Sequence, residues 1–260
     1  MQSGLVRIKM ILGICGFCKK EFRKREKKYK YCSLICSSRA NLNGLNKVQL
    51  PGNSWELAEF IGICLGDGYT SKYQTGITLN TIADKEYIPY VLRLAKDLFP
   101  GASTSLVYRK GENAVDIRIN SRIVVDFLRE MGIISYAKRV PNWIVENQGY
   151  TNACIRGLID TEGCISFKQY IGRENTSIYK QLIFRNANKM LMQFVRDNLL
   201  LLGLKPTMSL RRSLYLSNDQ SIMIYCDFIG FSNPKLIYRS LIKTPEDYEA
   251  YQLTLTTRKS

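Results

Sequence analysis

The chain of 260 residues contains no histidine. This absence excludes every mechanism that needs an imidazole as base or ligand, including Ser–His–Asp and Cys–His triads, histidine-bound metals and the histidine-dependent nucleases. Long apolar runs are missing as well. The longest, such as Met10–Phe17 and Leu199–Leu204, are far shorter than the roughly 20 residues that cross a bilayer. Because histidine is absent, any acid–base or metal chemistry must use carboxylates, lysines, thiols or bound water.

Acidic residues are also few, with 22 Asp and Glu against 38 Lys and Arg, so the formal charge is +16. The rest of the composition is that of an ordinary globular protein, which excludes a disordered tail, a collagen-like repeat and a coiled coil. The positive excess favours a polyanionic partner, and the lack of an apolar membrane segment favours nucleic acid over lipid. Met10–Phe17 leads into a lysine-rich stretch rather than a signal-cleavage site, which predicts an intracellular protein with reduced thiols.

Four of the eight cysteines crowd into the first 36 residues, in two close pairs. Such pairs allow two short turns to point four thiolates at one tetrahedral zinc ion, and the metal would supply folding energy to a segment too short for an apolar core. The pattern resembles small four-cysteine zinc fingers. Eight Lys and Arg with interleaved aromatic residues separate the pairs, a composition suited to phosphate contact. The alternatives are a redox pair or idle thiols in a basic tail. The predicted ligands of a structural Zn²⁺ are Cys15, Cys18, Cys32 and Cys36.

Two segments 95 residues apart follow one plan. Phe60–Gly68 and Ile155–Gly163 are apolar, carry a glycine at the third position, and end in an acid followed by a glycine. Each follows a helix-start signal, Asn53–Glu56 in the first case and Thr151 or Asn152 in the second. Each precedes alternating strand-like segments, an amphipathic helix, a second hairpin and another helix. The repetition predicts a duplicated, pseudo-twofold fold.

The two motifs resemble the paired signatures of monomeric LAGLIDADG homing endonucleases, and Pro141–Ile144 before the second motif adds to the likeness. The resemblance covers roughly residues 54–243. It implies an α+β fold in which two αββαββα repeats form a DNA-binding saddle. The predicted organisation is a basic zinc finger at 1–45, a linker at 46–53, repeats at 54–149 and 150–243, and a C-terminal tail at 244–260.

The motif helices are predicted to pack side by side. Glycines one turn apart, Gly62 and Gly66, give a flat strip that allows close approach of a twin helix. Asp67 and Glu162 would then meet at one end of the interface. Two close carboxylates repel each other unless a divalent cation lies between them, and an all-oxygen donor set selects Mg²⁺ or Mn²⁺. The predicted ligands of this ion are Asp67, Glu162, Gly66 and Thr161.

The resemblance also implies a lysine near the scissile phosphate in each half. Lys138 lies 71 residues after Asp67, and Lys235 lies 73 residues after Glu162. Each is predicted to be catalytic, by polarising the attacking water or stabilising transition-state charge. A solvated surface role remains the alternative in so lysine-rich a chain. Asp160 has no counterpart in the first motif and is expected to be structural.

Recognition of DNA is predicted on the sheet faces that point away from the helices. In the first half, polar residues at 116, 118 and 120 alternate with apolar ones, as a half-buried strand requires. Charged residues at hairpin tips would contact phosphates. Individually, each candidate is better explained as a solvated strand residue than as a base reader, and only the group as a whole indicates DNA binding. The predicted DNA-binding residues are Arg109, Lys110, Asp116, Arg118, Asn120, Ser166, Lys168, Tyr170, Arg211, Arg212 and Tyr215.

The function implied by the resemblance is site-specific cleavage of both strands of a long, asymmetric duplex with Mg²⁺, leaving 3′ overhangs. The expected protein is a free-standing monomer, encoded within an intron or between genes, that binds double-stranded DNA and no membrane. Two alternatives remain: a DNA-binding regulator that has lost cleavage, and a maturase that binds its host intron RNA. An intein is disfavoured because the histidines that splicing domains use are missing.

Overall fold

The structure is a computed structural model, and it describes residues 10–45, 48–133, 138–171, 176–209 and 212–257. A small module comes first. Its strands β1 (Ile11–Ile14) and β2 (Glu21–Lys24) pair antiparallel, with Ile14 opposite Glu21. The helix α1 (Leu34–Leu45) follows them and ends at the last residue of the predicted zinc-binding module.

The next segment folds as helix, two strands, helix, two strands and helix. The four strands form one antiparallel sheet in the order β3-β4-β6-β5. Ile77 pairs with Ile117 across the two central strands, and both side chains are buried. The elements are α2 (Trp55–Asp67), β3 (Gly68–Thr70), β4 (Thr75–Asn80), α3 (Ile88–Leu98), β5 (Ser103–Tyr108), β6 (Ala114–Asn120) and α4 (Arg122–Glu130).

The same order recurs after a one-turn helix, α5 (Asn142–Val145). The second antiparallel sheet has the equivalent strand order, β7-β8-β10-β9. The predicted α+β fold with two αββαββα repeats is therefore confirmed by element order and strand pairing. The elements of the second repeat are α6 (Gln148–Glu162), β7 (Gly163–Ile171), β8 (Thr176–Arg185), α7 (Lys189–Leu201), β9 (Thr207–Ser209), β10 (Ser213–Leu216) and α8 (Asp219–Phe228).

The two motif helices begin with side-chain caps, one at the predicted place and one not. Ser54 accepts a hydrogen bond from Leu57 N at 3.2 Å, as its position before α2 predicts. The prediction that Thr151 or Asn152 starts α6 is wrong, because Asn147 caps that helix and Thr151 is buried inside it. The predicted division between residues 149 and 150 therefore cuts α6, and the second repeat begins slightly earlier.

The seam between α2 and α6 is made by small residues. A Cβ added to Gly62 would overlap the carbonyl oxygen of Cys154, and a Cβ added to Gly157 would overlap that of Glu59. The backbones of the two helices therefore touch, as the glycine pattern predicts. A single apolar core extends to both sides of this seam, and both repeats contribute residues to it. Within the described ranges, no helix has the length and apolarity needed to cross a membrane.

The chain ends in two further helices, α9 (Pro234–Leu241) and α10 (Pro245–Thr257). The ring of Tyr248 in α10 lies 5.0 Å from that of Phe167 in β7. The guanidinium of Arg239 lies 5.5 Å from the rings of both Phe167 and Tyr251. The predicted C-terminal tail thus contains a helix that packs on the long hairpin of the second repeat.

Candidate functional site

The two motif acids lie at the same end of the helix seam. Asp67 is the last residue of α2 and Glu162 the last residue of α6. A Cβ at Gly66 would lie 3.1 Å from Glu162 Cγ, so the end of one helix directly contacts the end of the other. Gly68 and Gly163 then lead straight into strands, and a Cβ at either would overlap a carbonyl oxygen of its own helix. The glycine after each acid therefore marks the end of the helix, and this fixes the position of the carboxylate at the helix end.

These carboxylates are destabilised as anions. Burial and the negative charges of Glu162 and Asp84 raise the pKa of Asp67 to about 7. The positive charges of Lys138 and Lys235 act in the opposite direction, so both lysines are close enough to influence Asp67. Burial also raises the pKa of Glu162. A cation between the two groups would remove their repulsion and offset their desolvation, and their oxygen donors suit Mg²⁺ or Mn²⁺.

Lys138 lies beside this pair. Its Nζ donates a hydrogen bond to Gly66 O at 2.8 Å. Burial lowers the pKa of the ammonium group, although the charges of Glu162 and Asp67 counteract part of this effect. The backbone is held from the second repeat, because Asn188 Nδ2 donates to Lys138 O at 2.7 Å. The structure therefore brings the first predicted lysine to the carboxylates.

Lys235 approaches the pair from the second repeat. Its Nζ lies 2.7 Å from Asp84 Oδ1. Asn233 caps α9 by accepting a hydrogen bond from Lys235 N at 3.1 Å, and its amide nitrogen donates to Asp84 Oδ1 at 3.2 Å. Both predicted lysines and both predicted acids thus share one end of the seam.

Asp84 belongs to this site, and sequence reasoning missed it. It lies at the start of the amphipathic helix that the sequence predicts near Asp84–Leu98, a position at which an acid needs no further explanation. The structure begins α3 only at Ile88 and joins Asp84 to a lysine 151 positions away. No local pattern carries that information. Asp160 is structural, as expected: it is buried, and its Oδ2 accepts a hydrogen bond from Ser232 N at 2.8 Å.

A cavity of about 610 Å³ opens beside Glu162. Its walls include Lys138, Arg185, Asn188 and Arg212, so three cationic side chains face one carboxylate. Arg212 is anchored by a hydrogen bond from its Nη1 to a backbone carbonyl at 3.0 Å. The cavity therefore has the charge and size for a phosphate group of a polyanion.

The outer face of the first sheet differs from the prediction at one position. Asp116 lies on that face but is only 2% exposed, because Arg109 and Arg118 each bind one of its carboxylate oxygens at 2.8 Å. Thr78 donates to the same group at 2.9 Å. Burial alone would raise the pKa of Asp116, but these hydrogen bonds bring it below its usual value. The prediction that Asp116 itself contacts DNA is therefore wrong, whereas Lys110, like Asn120, is exposed.

The outer face of the second sheet carries the predicted polar row on β7. Ser166, Lys168 and Tyr170 alternate with Ile165 and Phe167, which point inward. The pKa of Tyr215 in β10 is lowered by hydrogen bonds with side chains of the same sheet, chiefly that of Ser213. Among the described side chains of this outer face none is acidic. Arg211 lies outside the described residues.

Strand lengths make the two faces unequal. In the first repeat β3 has 3 residues and β4 has 6, whereas in the second repeat β7 has 9 and β8 has 10. The exposed rings of Tyr170 and Tyr179 meet edge to face, 6.3 Å apart, on the outer part of the longer hairpin. The second repeat therefore presents a longer surface than the first.

The four N-terminal cysteines converge, with all sulfur atoms within 4.8 Å of one another. Amide groups, including that of Cys32, outweigh the effect of burial and lower the pKa of the Cys15 thiol to about 6. Hydrogen bonding to neighbouring sulfurs, first that of Cys36, raises the pKa of Cys32 to about 12. The predicted cluster is thus present and has the donors of a tetrahedral thiolate site, while the basic residues between the pairs remain mostly exposed.

The solved structures to which this chain is similar include homing endonucleases. I-WcaI bound to its DNA recognition sequence has a TM-score of 0.49 at 15% identity, covering 78% of this chain and 93% of that one. I-DmoI in complex with DNA and Mn has a TM-score of 0.48 at 20% identity, covering 68% and 97%. The LAGLIDADG homing endonuclease I-LtrWI bound to target DNA has 0.46 at 10%, covering 79% and 92%. These TM-scores and identities are low, so the fold assignment rests on the chain's own element order and strand pairing.

Comparison with protein sequences is less informative. No protein-family model matches the chain. The replication factor C small subunit of Methanocaldococcus jannaschii is 25% identical over 198 residues, which is 72% of this chain and 10% of that protein. The chain thus spans about a tenth of the length of that relative.

Proposed function

We propose that this protein is a metal-dependent, site-specific endonuclease that hydrolyses one phosphodiester bond in each strand of duplex DNA. One observation carries the proposal: the ends of the paired motif helices bring two half-buried carboxylates together beside two lysines. Each repeat supplies one acid and one lysine, Asp67 with Lys138 and Glu162 with Lys235. This doubled arrangement fits two antiparallel DNA strands. Since all four groups come from one chain, the active unit is proposed to be a monomer.

The metal ligands are proposed to be Asp67 and Glu162 with the backbone oxygens of Gly66 and Thr161. Thr161 lies in the last turn of α6, where backbone carbonyl groups have no partner within the helix, so its backbone oxygen can take this role. Gly66 O accepts one hydrogen bond from Lys138 and retains a second lone pair. A bound Mg²⁺ or Mn²⁺ would supply Lewis acidity at the scissile phosphate and a water of lowered pKa.

The protein's own groups have distinct tasks in this scheme. Lys138 and Lys235 place positive charge where negative charge grows on the phosphate oxygens. Arg185 and Arg212, in the cavity beside Glu162, hold the neighbouring phosphate and so fix the strand in register. Hydrolysis breaks the bond between phosphorus and the 3′ oxygen, and the strand ends as a 3′ hydroxyl and a 5′ phosphate.

The outer sheet faces are proposed to bind the two DNA half-sites, which differ in sequence because the faces differ. We reassign Asp116 from DNA contact to positioning, since it fixes the guanidinium groups of Arg109 and Arg118. An arginine held in this way is suited to bidentate recognition of guanine. The remaining proposed contacts are Lys110, Asn120, Ser166, Lys168, Tyr170, Arg212 and Tyr215. The resemblance to the LAGLIDADG family adds cleavage across the minor groove with 3′ overhangs.

The experiment that tests this proposal is cleavage of a randomised duplex library by the purified protein with Mg²⁺, followed by sequencing of the cut ends. We expect one long, asymmetric consensus cut on both strands. Recovery of bound but uncut duplexes of one sequence would contradict the endonuclease and support a binding protein. Selection of a structured RNA in a parallel pool, with no cut DNA, would instead favour a maturase.

Removal of either lysine is expected to slow cleavage without a large loss of affinity. Lys138→Met and Lys235→Met each remove one charge that stabilises the transition state, which typically costs about a hundredfold or more in rate. Single-turnover cleavage and equilibrium binding measure the two effects separately. Lys96→Met, at an exposed position of α3, is the matched control. Cleavage at the wild-type rate would assign the catalytic role in that half to another cation.

The N-terminal module is proposed to be a zinc finger that contacts phosphates beside the core site. We expect one zinc per chain with sulfur-only ligation. Deletion of residues 1–45 should weaken binding and make its salt dependence shallower, by about 0.9 in slope for each phosphate that the module neutralises. Metal analysis and a salt titration of DNA affinity measure these effects, with Cys226→Ser, in α8, as a control outside both the cluster and the outer sheet faces. An unchanged slope would show that the module binds something other than the target DNA.

A further inference from the structure

The two active-site lysines are held by chemically different groups. Lys138 donates to Gly66 O, a neutral backbone carbonyl, at 2.8 Å, and the nearby negative charges of Glu162 and Asp67 are those that a bound cation would neutralise. The Nζ atom of Lys235 lies 2.7 Å from Asp84 Oδ1, an oxygen of a carboxylate group. A charged partner holds an ammonium group more strongly than a neutral one, particularly where water is partly excluded. The two lysines are therefore not equally free to move to a phosphate.

The difference arises at equivalent places in the two repeats. Asp84 lies between β4 and α3, and Asn188 lies between β8 and α7. Each crosses to the lysine-bearing segment of the other repeat: Asp84 contacts the Lys235 ammonium, and Asn188 donates to Lys138 O at 2.7 Å. The connection between strand and helix thus carries an acid in the first repeat and an amide in the second.

Further hydrogen bonds hold Asp84 in place beside Lys235. Asp84 Oδ1 accepts a second hydrogen bond from Asn233 at 3.2 Å, and Asp84 Oδ2 accepts one from Asn80 N at 3.3 Å. The side chains of Asp84 and Lys235 are 14% and 28% exposed. Contact of the Lys235 ammonium with a DNA phosphate requires exchange of this carboxylate for the phosphate.

We propose that Asp84 acts as a latch on Lys235 and thereby sets the order in which the two DNA strands are cut. The strand that depends on Lys138 is cut first, and the strand that depends on Lys235 is cut second, after its ammonium group leaves Asp84. Asp84 is a positioning residue in this scheme and does not touch the reacting atoms. In each cut, water adds its oxygen to phosphorus and the departing 3′ oxygen takes up a proton. The inference rests on the proposed endonuclease function.

The test uses the full-length protein, Mg²⁺ at saturating concentration, and a supercoiled plasmid with one selected site. Nicked circles report the first cut, linear molecules report the second, and strand-specific end labels identify the nicked strand. Lys138→Met and Lys235→Met assign each strand to its lysine. We expect the wild-type protein to accumulate circles nicked in the Lys138-dependent strand.

Asp84→Asn should speed the second cut by roughly twofold to fivefold, the upper part of the range for removal of an ion pair near the surface, and should deplete the nicked circles. Asp84→Glu, which keeps the charge, should preserve the order. In the Lys235→Met background, Asp84→Asn should leave the second cut unchanged, a non-additivity that a general loss of stability would not produce. Asp97→Asn, at an exposed site on α3, controls for removal of one negative charge.

Simultaneous cutting of both strands by the wild-type protein would overturn the latch while leaving the endonuclease proposal intact. A slower second cut in Asp84→Asn that Asp84→Glu restores would also overturn it, because Asp84 would then hold Lys235 in its productive position. If no DNA in the library is cut, both proposals fail together. Should Asp84→Asn fail to fold, the order in the wild-type and Asp84→Glu proteins still decides whether the cuts are sequential.

Discussion

Asp67→Asn is expected to abolish double-strand cleavage while sparing most DNA binding, and Glu162→Gln is expected to do the same. Each substitution removes one of the two charges that we propose to hold a divalent cation at the end of the helix seam, yet keeps the shape of the side chain. Because the sheet faces that we propose to bind DNA are separate from the seam, affinity is expected to depend little on these acids. We expect the rate to fall by at least about a thousandfold, the scale for removal of a major electrostatic contribution.

Strand-specific cleavage and gel-shift affinity in the presence of Ca²⁺ separate catalysis from binding in these variants. Asp126→Asn, an acid on α4 whose side chain is 50% exposed, provides the matched control. Calorimetric titration with Mn²⁺ should show reduced metal binding in both test variants. Full activity in either of them would place the metal site elsewhere.

Substitution of the seam glycines should damage the fold itself. In Gly62→Ala the new methyl group would overlap Cys154 O, and in Gly157→Ala it would overlap Glu59 O, so the helices α2 and α6 must separate. Overpacking of a core against rigid backbone costs about 3 kcal/mol. For a protein of this size we expect the melting temperature to fall by roughly 6–12 °C.

Thermal unfolding followed by circular dichroism measures this loss of stability. Gly52→Ala is the control, since no atom lies within 4 Å of the added Cβ. An unchanged melting temperature in both seam variants would mean that the helices can move apart at little cost. In that case the close approach would not be what fixes the carboxylates in place.

The sequence predicts the parts of the fold that repeat or depend on spacing. The two motifs, the helix start at Ser54 and the alternating residues of β6 are all local patterns, and each predicted element is present. The cysteine cluster is predictable for the same reason, because two short turns bring the thiols together. Glycine spacing predicts the close seam, since only a residue without a side chain allows two backbones to touch.

The remainder depends on contacts between distant segments. Asp84 resembles an ordinary acid at a helix start until the fold places Lys235 beside it, and Asp116 resembles an exposed strand residue until two arginines cover it. The predicted start of α6 is wrong because Thr151 is a good capping residue, whereas Asn147, four positions earlier, caps the helix in the folded chain. A local signal of this kind cannot show which of two suitable residues the tertiary structure uses.

The seam also determines which partners each repeat can accept. Gly66 of the first repeat faces Thr161 of the second, and a Cβ at position 66 would overlap the Thr161 hydroxyl. If the first repeat paired with a copy of itself, two glycines would face each other and leave a gap. If the second repeat did so, two threonines would compete for one space. The two repeats are therefore complementary at this contact rather than identical, and exchange of either one for a copy of the other would change the fit of the seam.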